Sequence, residues 1–202
     1  MVSVQPSTAK RAQIEQAVLT ATEDLLAAGG SFQELKIERI ATAAGISRTA
    51  FYFYFKDKRE LLMRLAEDIS GELYGHADAW FSGDDGAPEH QIAEALKSIA
   101  ALYFAHGPLL RAIVEVSTYD EEIAVFWRAL LQRFADATTF RIEKEQEAGR
   151  APAMPAAATA FALVWMTERT FYQQLVQGAP VESVELVAAL NGIWLRSVYG
   201  AS

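Results

Sequence analysis

The chain has 202 residues, a formal charge of −8 and no cysteine, which excludes disulfide frameworks, cysteine-ligated zinc and thiol catalysis. Hydrophobic residues make up 51% of it, yet no run approaches the roughly 18 uninterrupted apolar residues of a membrane-spanning helix. The net charge argues against a nucleic-acid partner only on average. Residues 1–64 hold nine basic and seven acidic side chains, a net of +2, and the remainder carries −10. A mildly basic head on an acidic body is the pattern of a phosphate-binding module joined to a domain that avoids phosphate. Residues 1–9 are polar and lack the apolar stretch of a secretory signal, which predicts a cytoplasmic protein.

Apolar residues recur at three- and four-residue spacing, and Gly and Pro cut the chain into helix-length pieces. This predicts an all-α fold of nine helices. The first spans about 8–28, with Ile14, Ala17, Val18, Ala21, Leu25 and Leu26 on one stripe and Gly29-Gly30 as its stop. Two short helices follow at 37–44 and 48–54. The fourth starts after Asp57, a candidate N-cap, and runs through Leu61, Leu62, Leu65 and Ile69 toward Trp80. The loop Gly83-Asp84-Asp85-Gly86 closes it. Pro88, Pro108, Pro155 and Pro180 then stand where helices can start, and Gly107, Gly149, Gly178 and Gly200 where they can end. The implied helices are 88–105, 108–117, 120–148, 155–177 and 181–199.

The run from Ile37 to Thr49 reads as two short helices broken at Gly45, with Ser47 capping the second, the pattern of a helix-turn-helix. Ala41 and Ala44 keep the first helix thin where the second crosses it, and Ile37, Ile40 and Ile46 fill a small core. A major groove admits one helix, whose N-terminal residues meet base edges. Arg48, Thr49, Ala50 and Phe53 occupy that end. The following Phe51-Tyr52-Phe53-Tyr54-Phe55 cannot all be buried on so short a helix. Phe51 and Phe55 are assigned to the core, and Tyr52, Phe53 and Tyr54 to the exposed side, where tyrosine hydroxyls suit phosphate oxygens. Lys56 and Lys58 bracket the start of helix four, whose free N–H groups form an anion site. The bland alternatives are an ordinary helix-loop-helix corner, a solvated Arg48 or Lys56, and a Phe53 that belongs to the core.

Ile40-Ala41, Ala44-Gly45-Ile46-Ser47, Phe51-Tyr52, Phe55, Lys58 and Leu61 together resemble the signature of the TetR repressors. The run from Ala44 to Phe55, Thr167-Glu168-Arg169-Thr170 and the ending from Ile193 to Gly200 resemble the EthR-like branch of that family. The resemblance implies a DNA-binding head over 1–57 and a ligand-binding and dimerisation body over 58–202. It also implies a ligand-responsive repressor that binds palindromic double-stranded operator DNA as a homodimer and is released by a small apolar effector. The DNA contacts would come from Lys36, Ser47, Arg48, Thr49, Ala50, Tyr52, Phe53, Tyr54, Lys56 and Lys58. Two positions depart from the family pattern: Lys36 stands where Thr or Ser is usual, and Tyr54 where His is more often found. Both keep a possible phosphate contact.

In the body, Trp127, Leu131, Phe134 and Thr138 share one face of helix seven. Ile92, Leu96, Ile99 and Tyr103 share one of helix five, and Phe161, Trp165, Glu168 and Tyr172 one of helix eight. Periodicity alone reads such stripes as core. The family resemblance instead makes them the lining of an effector pocket, with Thr138, Thr167, Glu168 and Asn191 as polar handles. Glu168 could equally be paired with Arg169 at the surface. Leu163, Val164, Leu175, Val184, Val187, Leu190, Trp194 and Val198 give helices eight and nine enough apolar surface for a dimer interface. Trp194 fits either that interface or the pocket. His76, His90 and His106 are scattered and no phosphate-cradling glycine motif occurs, so no metal, cofactor or catalytic site is predicted. Asp84-Asp85 and Asp120-Glu121-Glu122 read as loop and helix-cap acids.

Overall fold

A computed structural model describes residues 8–83, 87–178 and 181–200. The polar segment 1–7, the loop residues Asp84, Asp85 and Gly86, Pro180 and the side chain of Leu175 lie outside the described residues. Among those described there are nine α-helices and no strand. They are α1 (Thr8–Ala27), α2 (Ile37–Ala43), α3 (Arg48–Tyr54), α4 (Lys58–Ser82), α5 (Pro88–Ala105), α6 (Gly107–Ser117), α7 (Glu121–Glu147), α8 (Ala156–Phe171) and α9 (Ser183–Tyr199). No single described helix is long and apolar enough to cross a membrane.

The corner between α2 and α3 follows from local chemistry. Gly45 adopts φ +72°, a left-handed turn that only glycine takes without cost. It lets the Ile46 N–H donate to the Ala41 carbonyl at 2.9 Å and its own N–H donate to Thr42 at 3.1 Å. The last carbonyls of α2 are thereby satisfied. The Ser47 hydroxyl accepts from the Ala50 N–H at 3.1 Å and caps α3. Ile40, Ala41, Phe51 and Phe55 are buried beneath the corner.

Helix α4 runs through one core that joins the head to the body. Its first half buries Leu61, Leu62, Leu65 and Ile69, and its second half buries Leu73, Ala77 and Trp80 in the body. Asp57 caps its start by accepting from the Glu60 N–H at 2.9 Å. The Glu60 carboxylate reaches back to the Lys56 N–H at 2.6 Å, a reciprocal arrangement that occupies this helix end with acid. At the other end Gly83 turns the chain at φ +79° with the Arg141 guanidinium so close that a Cβ would stand 2.0 Å from Nη1. Arg59, in the first turn of α4, donates to Asp120 at 2.8 Å and to Glu122 at 2.9 Å, tying it to the first turn of α7. Asp120 meanwhile caps α7 by accepting from the Glu122 and Ile123 amides.

The last turns of α7 hold a buried carboxylate. Glu145 is fully buried and receives Arg141 at 2.7 Å and Arg150 at 2.7 and 3.0 Å. The Arg150 hydrogen bonds outweigh burial and hold the Glu145 carboxyl below its ordinary value.

One predicted helix is broken. The stretch read as a single helix over 155–177 is α-helical only to Phe171, and Tyr172–Val176 forms a π-helical turn. Phe171, Tyr172 and Val176 are all buried at this turn. Arg111 of α6 donates to the Val176 carbonyl at its end.

Candidate functional site

Two surfaces carry the residues singled out by the sequence. The first is α3 with its flanks. Phe53 is 73% exposed and Tyr52 46%, and Lys36, Arg48, Thr49 and Lys56 are exposed beside them. Ala50 is half-buried, and the hydroxyl of Ser47 is engaged in capping α3. Tyr54 is half-buried with the Arg11 guanidinium 5.8 Å above its ring. Arg48 is not a free cation: Tyr52 and Glu38 both stabilise its charged form and raise its pKa, and its Nη1 lies 2.5 Å from the Glu38 carboxylate. The base-reading candidate is thus held by a carboxylate of α2 and a hydroxyl of its own helix.

Lys58, expected at a phosphate, is engaged within the chain itself. Its ammonium donates to the carbonyls of Phe32 at 2.7 Å, Gln33 at 3.1 Å and Leu35 at 3.0 Å. An ammonium has three N–H donors, and all three are spent on the loop that leads into α2. Partial burial pushes its pKa down. At the start of α4, where an anion site is expected, the Asp57 carboxylate accepts from the Glu60 N–H and the Glu60 carboxylate from the Lys56 N–H.

The second surface is internal. A cavity of about 90 Å³ lies in the body. Helix α5 contributes Ile92, Ala95, Leu96, Ile99 and Tyr103, and α7 contributes Leu131, Phe134 and Thr138. Val164, Thr167 and Glu168 come from α8, Trp194 from α9, and Leu73, Ala77, Trp80 and Phe81 from α4. The α4 wall was missed from sequence. Leu73, Ala77 and Trp80 stand at i, i+4 and i+7, so the stripe traced through Ile69 extends straight into it.

Trp127, Trp165 and Tyr172, predicted in the lining, are not in it. Trp127 is buried one turn before Leu131, where the α7 wall begins. Trp165 packs against the exposed Phe161, ring centroids 6.0 Å apart. Tyr172 lies under the Arg169 guanidinium, 5.1 Å from its ring. Asn191, taken as a polar handle, is also outside the lining.

Trp194 faces the cavity. Its Nε1 donates to the Thr167 hydroxyl at 2.8 Å, and its ring meets Trp80 edge-on at 5.7 Å. Trp80 Nε1 donates in turn to the Tyr199 hydroxyl at 3.0 Å, so the indoles of α4 and α9 are fixed together. Glu168 is the one ionisable carboxyl in the lining. It is 4% exposed, and neither oxygen has a hydrogen-bond partner. The Arg169 Nε lies 3.7 Å away, beyond hydrogen-bond reach. Burial raises the Glu168 pKa more than Arg169 lowers it, and burial together with Glu168 raises that of the Tyr103 phenol. The Thr138 hydroxyl is likewise buried without a partner.

Residues 18–65, which hold the helix-turn-helix, match the family model described as bacterial regulatory proteins of the tetR family. Residues 92–200 match the C-terminal domain of the transcriptional regulator EthR. The HTH-type transcriptional regulator EthR of Mycolicibacterium smegmatis is 32% identical over 187 residues, 92% of this chain and 86% of that protein. A putative TetR-family regulator from Syntrophomonas wolfei has the same fold at a TM-score of 0.77 and 18% identity, covering 92% of this chain and 95% of that one. So does the regulator FadR from Bacillus subtilis, solved in complex with stearoyl-CoA, at 0.71 and 14%, covering 93% and 99%. With a capped helix-turn-helix at its head and an EthR-type helical body below it, the chain belongs to the TetR family of transcriptional regulators.

Proposed function

We propose that this regulator is a cytoplasmic, ligand-responsive repressor that grips palindromic operator DNA as a homodimer and releases it when an apolar effector enters the cavity. The division is a DNA-binding head over 1–57 and a sensing and dimerisation body over 58–202. The observation that carries this reading is the position of α4. One continuous helix starts beside the recognition helix and ends as a wall of the cavity. At about 90 Å³ the cavity is well below the roughly 300–1,000 Å³ of ordinary ligand sites. An effector must therefore push its walls apart, and any displacement of α4 is transmitted to the head. Interiors transmit strain because they are close-packed. DNA affinity then falls by the effector's differential affinity for the two states.

Exposed Phe161 on α8 and Val184 and Ile193 on α9 support pairing of these helices with a second copy, which would set two recognition helices on successive major grooves. Arg48, Thr49 and Phe53 would face base edges, and Lys36, Tyr52, Tyr54 and Lys56 the phosphates.

The test is selection of binding sites from random duplex DNA at physiological salt, with the mass of the free protein and of its complex measured by sedimentation. The expected result is a palindrome bound by a dimer, with affinity that falls steeply as salt rises. Failure of a folded protein to enrich any sequence would refute the operator reading.

A further inference from the structure

Among the described residues, Glu168 is a carboxyl buried with both oxygens lacking a hydrogen bond. A carboxyl 4% exposed in an apolar cavity, with neither oxygen hydrogen-bonded, costs stability. The same protein shows the ordinary solution at Glu145, where two guanidiniums fill both carboxylate oxygens. No basic side chain lines the cavity, and the neighbouring cation, Arg169, makes a loose ion pair at 3.7 Å without a hydrogen bond, its guanidinium over the Tyr172 ring. Thr138 adds a second unpartnered oxygen to the lining. The unmet demand inside the cavity is therefore for hydrogen-bond donors carrying positive charge.

Building on the cavity reading above, we infer that the effector is an apolar molecule bearing a basic nitrogen, whose ammonium hydrogen-bonds Glu168 inside the cavity. An ammonium offers several N–H donors from one atom, a hydroxyl offers one, and a carboxylate offers none. An amphiphilic amine thus meets the acceptors of Glu168 and fills the apolar lining with its chain. A fatty acid of the same length would bring a second negative charge to a buried carboxyl, which is unfavourable. The groups facing Glu168 that bear on this charge balance are Tyr103 from α5 and Arg169 from its own helix.

The experiment compares octylamine, octanol and octanoate on the intact protein at neutral pH, by titration calorimetry and by the fluorescence of Trp80 and Trp194 in the cavity wall. The expected order is octylamine tighter than octanol by about tenfold, the worth of one charge-assisted hydrogen bond, with octanoate weakest. Glu168→Gln should bring octylamine down to the affinity of octanol, because a neutral amide gives the ammonium no charge to pair with. Octanol binding as tightly as octylamine would overturn the basic-nitrogen assignment while leaving the cavity reading intact. Octanoate binding tightest would overturn it as well. Absence of binding by all three would overturn both readings together. The three-ligand comparison on the unmodified protein decides the matter even if Glu168→Gln does not fold.

Discussion

The head and the cavity treat their charged side chains in opposite ways. At the base of the head, Lys58 has an acceptor for each of its three donors. In the cavity, Glu168 has no donor for either oxygen. Among the described residues, every buried side-chain polar atom without a partner lies at position 70 or beyond, and none lies in α1, α2 or α3. A reading head must present one geometry to DNA, so its polar groups are spent on holding that geometry. A sensing cavity must gain something when its ligand arrives, so it keeps polar groups in reserve.

The contrast is sharpest between the two buried carboxylates of the body, and substitution breaks it with the largest effect. Glu145→Gln removes the partner of Arg141, itself 8% exposed, and should cost about 3–5 kcal/mol, on the order of 10 °C in Tm. Calorimetry as a function of pH gives the sign. The folded pKa of Glu145 lies below its ordinary 4.5, so its stabilisation is present above pH 4.5 and is lost as pH falls through the folded value. The gap between the wild type and Glu145→Gln should close in acid.

Lys58→Met tests the head in the same way. It strips the donors from three loop carbonyls and should cost about 2 kcal/mol, roughly 5 °C in Tm. The loss should appear in DNA-free protein, whereas a lysine that only touched phosphate would leave Tm unchanged and alter DNA affinity alone.

Glu168→Gln should do the reverse and raise Tm at neutral pH by about 3 °C. Its folded pKa is raised above the ordinary 4.5, so the wild type keeps its full stability below pH 4.5 and loses it as pH rises through the folded value. The advantage of the variant should therefore vanish near pH 4. A stabilising Glu168 at neutral pH would mean that the carboxyl is paired and the contrast false.

The smallest effect concerns specificity. Arg48→Ala should lower discrimination between operator variants by about tenfold, and Tyr52→Phe should weaken all sequences alike by a few-fold. Equal loss on every variant for Arg48→Ala would make Arg48 a phosphate contact. Measured by competition binding, the pair separates base reading from backbone grip.

The sequence by itself determined the helices, the corner at Gly45, the assignment of Phe51 and Phe55 inward with Tyr52 and Phe53 outward, and most of the cavity stripes on α5 and α7. These are legible because they rest on local rules, a 3.6-residue period, glycine's access to positive φ and the capping chemistry of Ser47 and Asp57. Tertiary structure alone decided the rest. It spent Lys58 on a loop more than 20 residues away in sequence, left Tyr172 outside the cavity lining and turned Trp194 inward against Thr167. It made α4 a wall of the cavity and left Glu168 without a hydrogen bond. Periodicity states which face of a helix is apolar. Whether a buried charge finds its counterpart depends on what another helix brings to that point, and spacing along one helix carries no record of it.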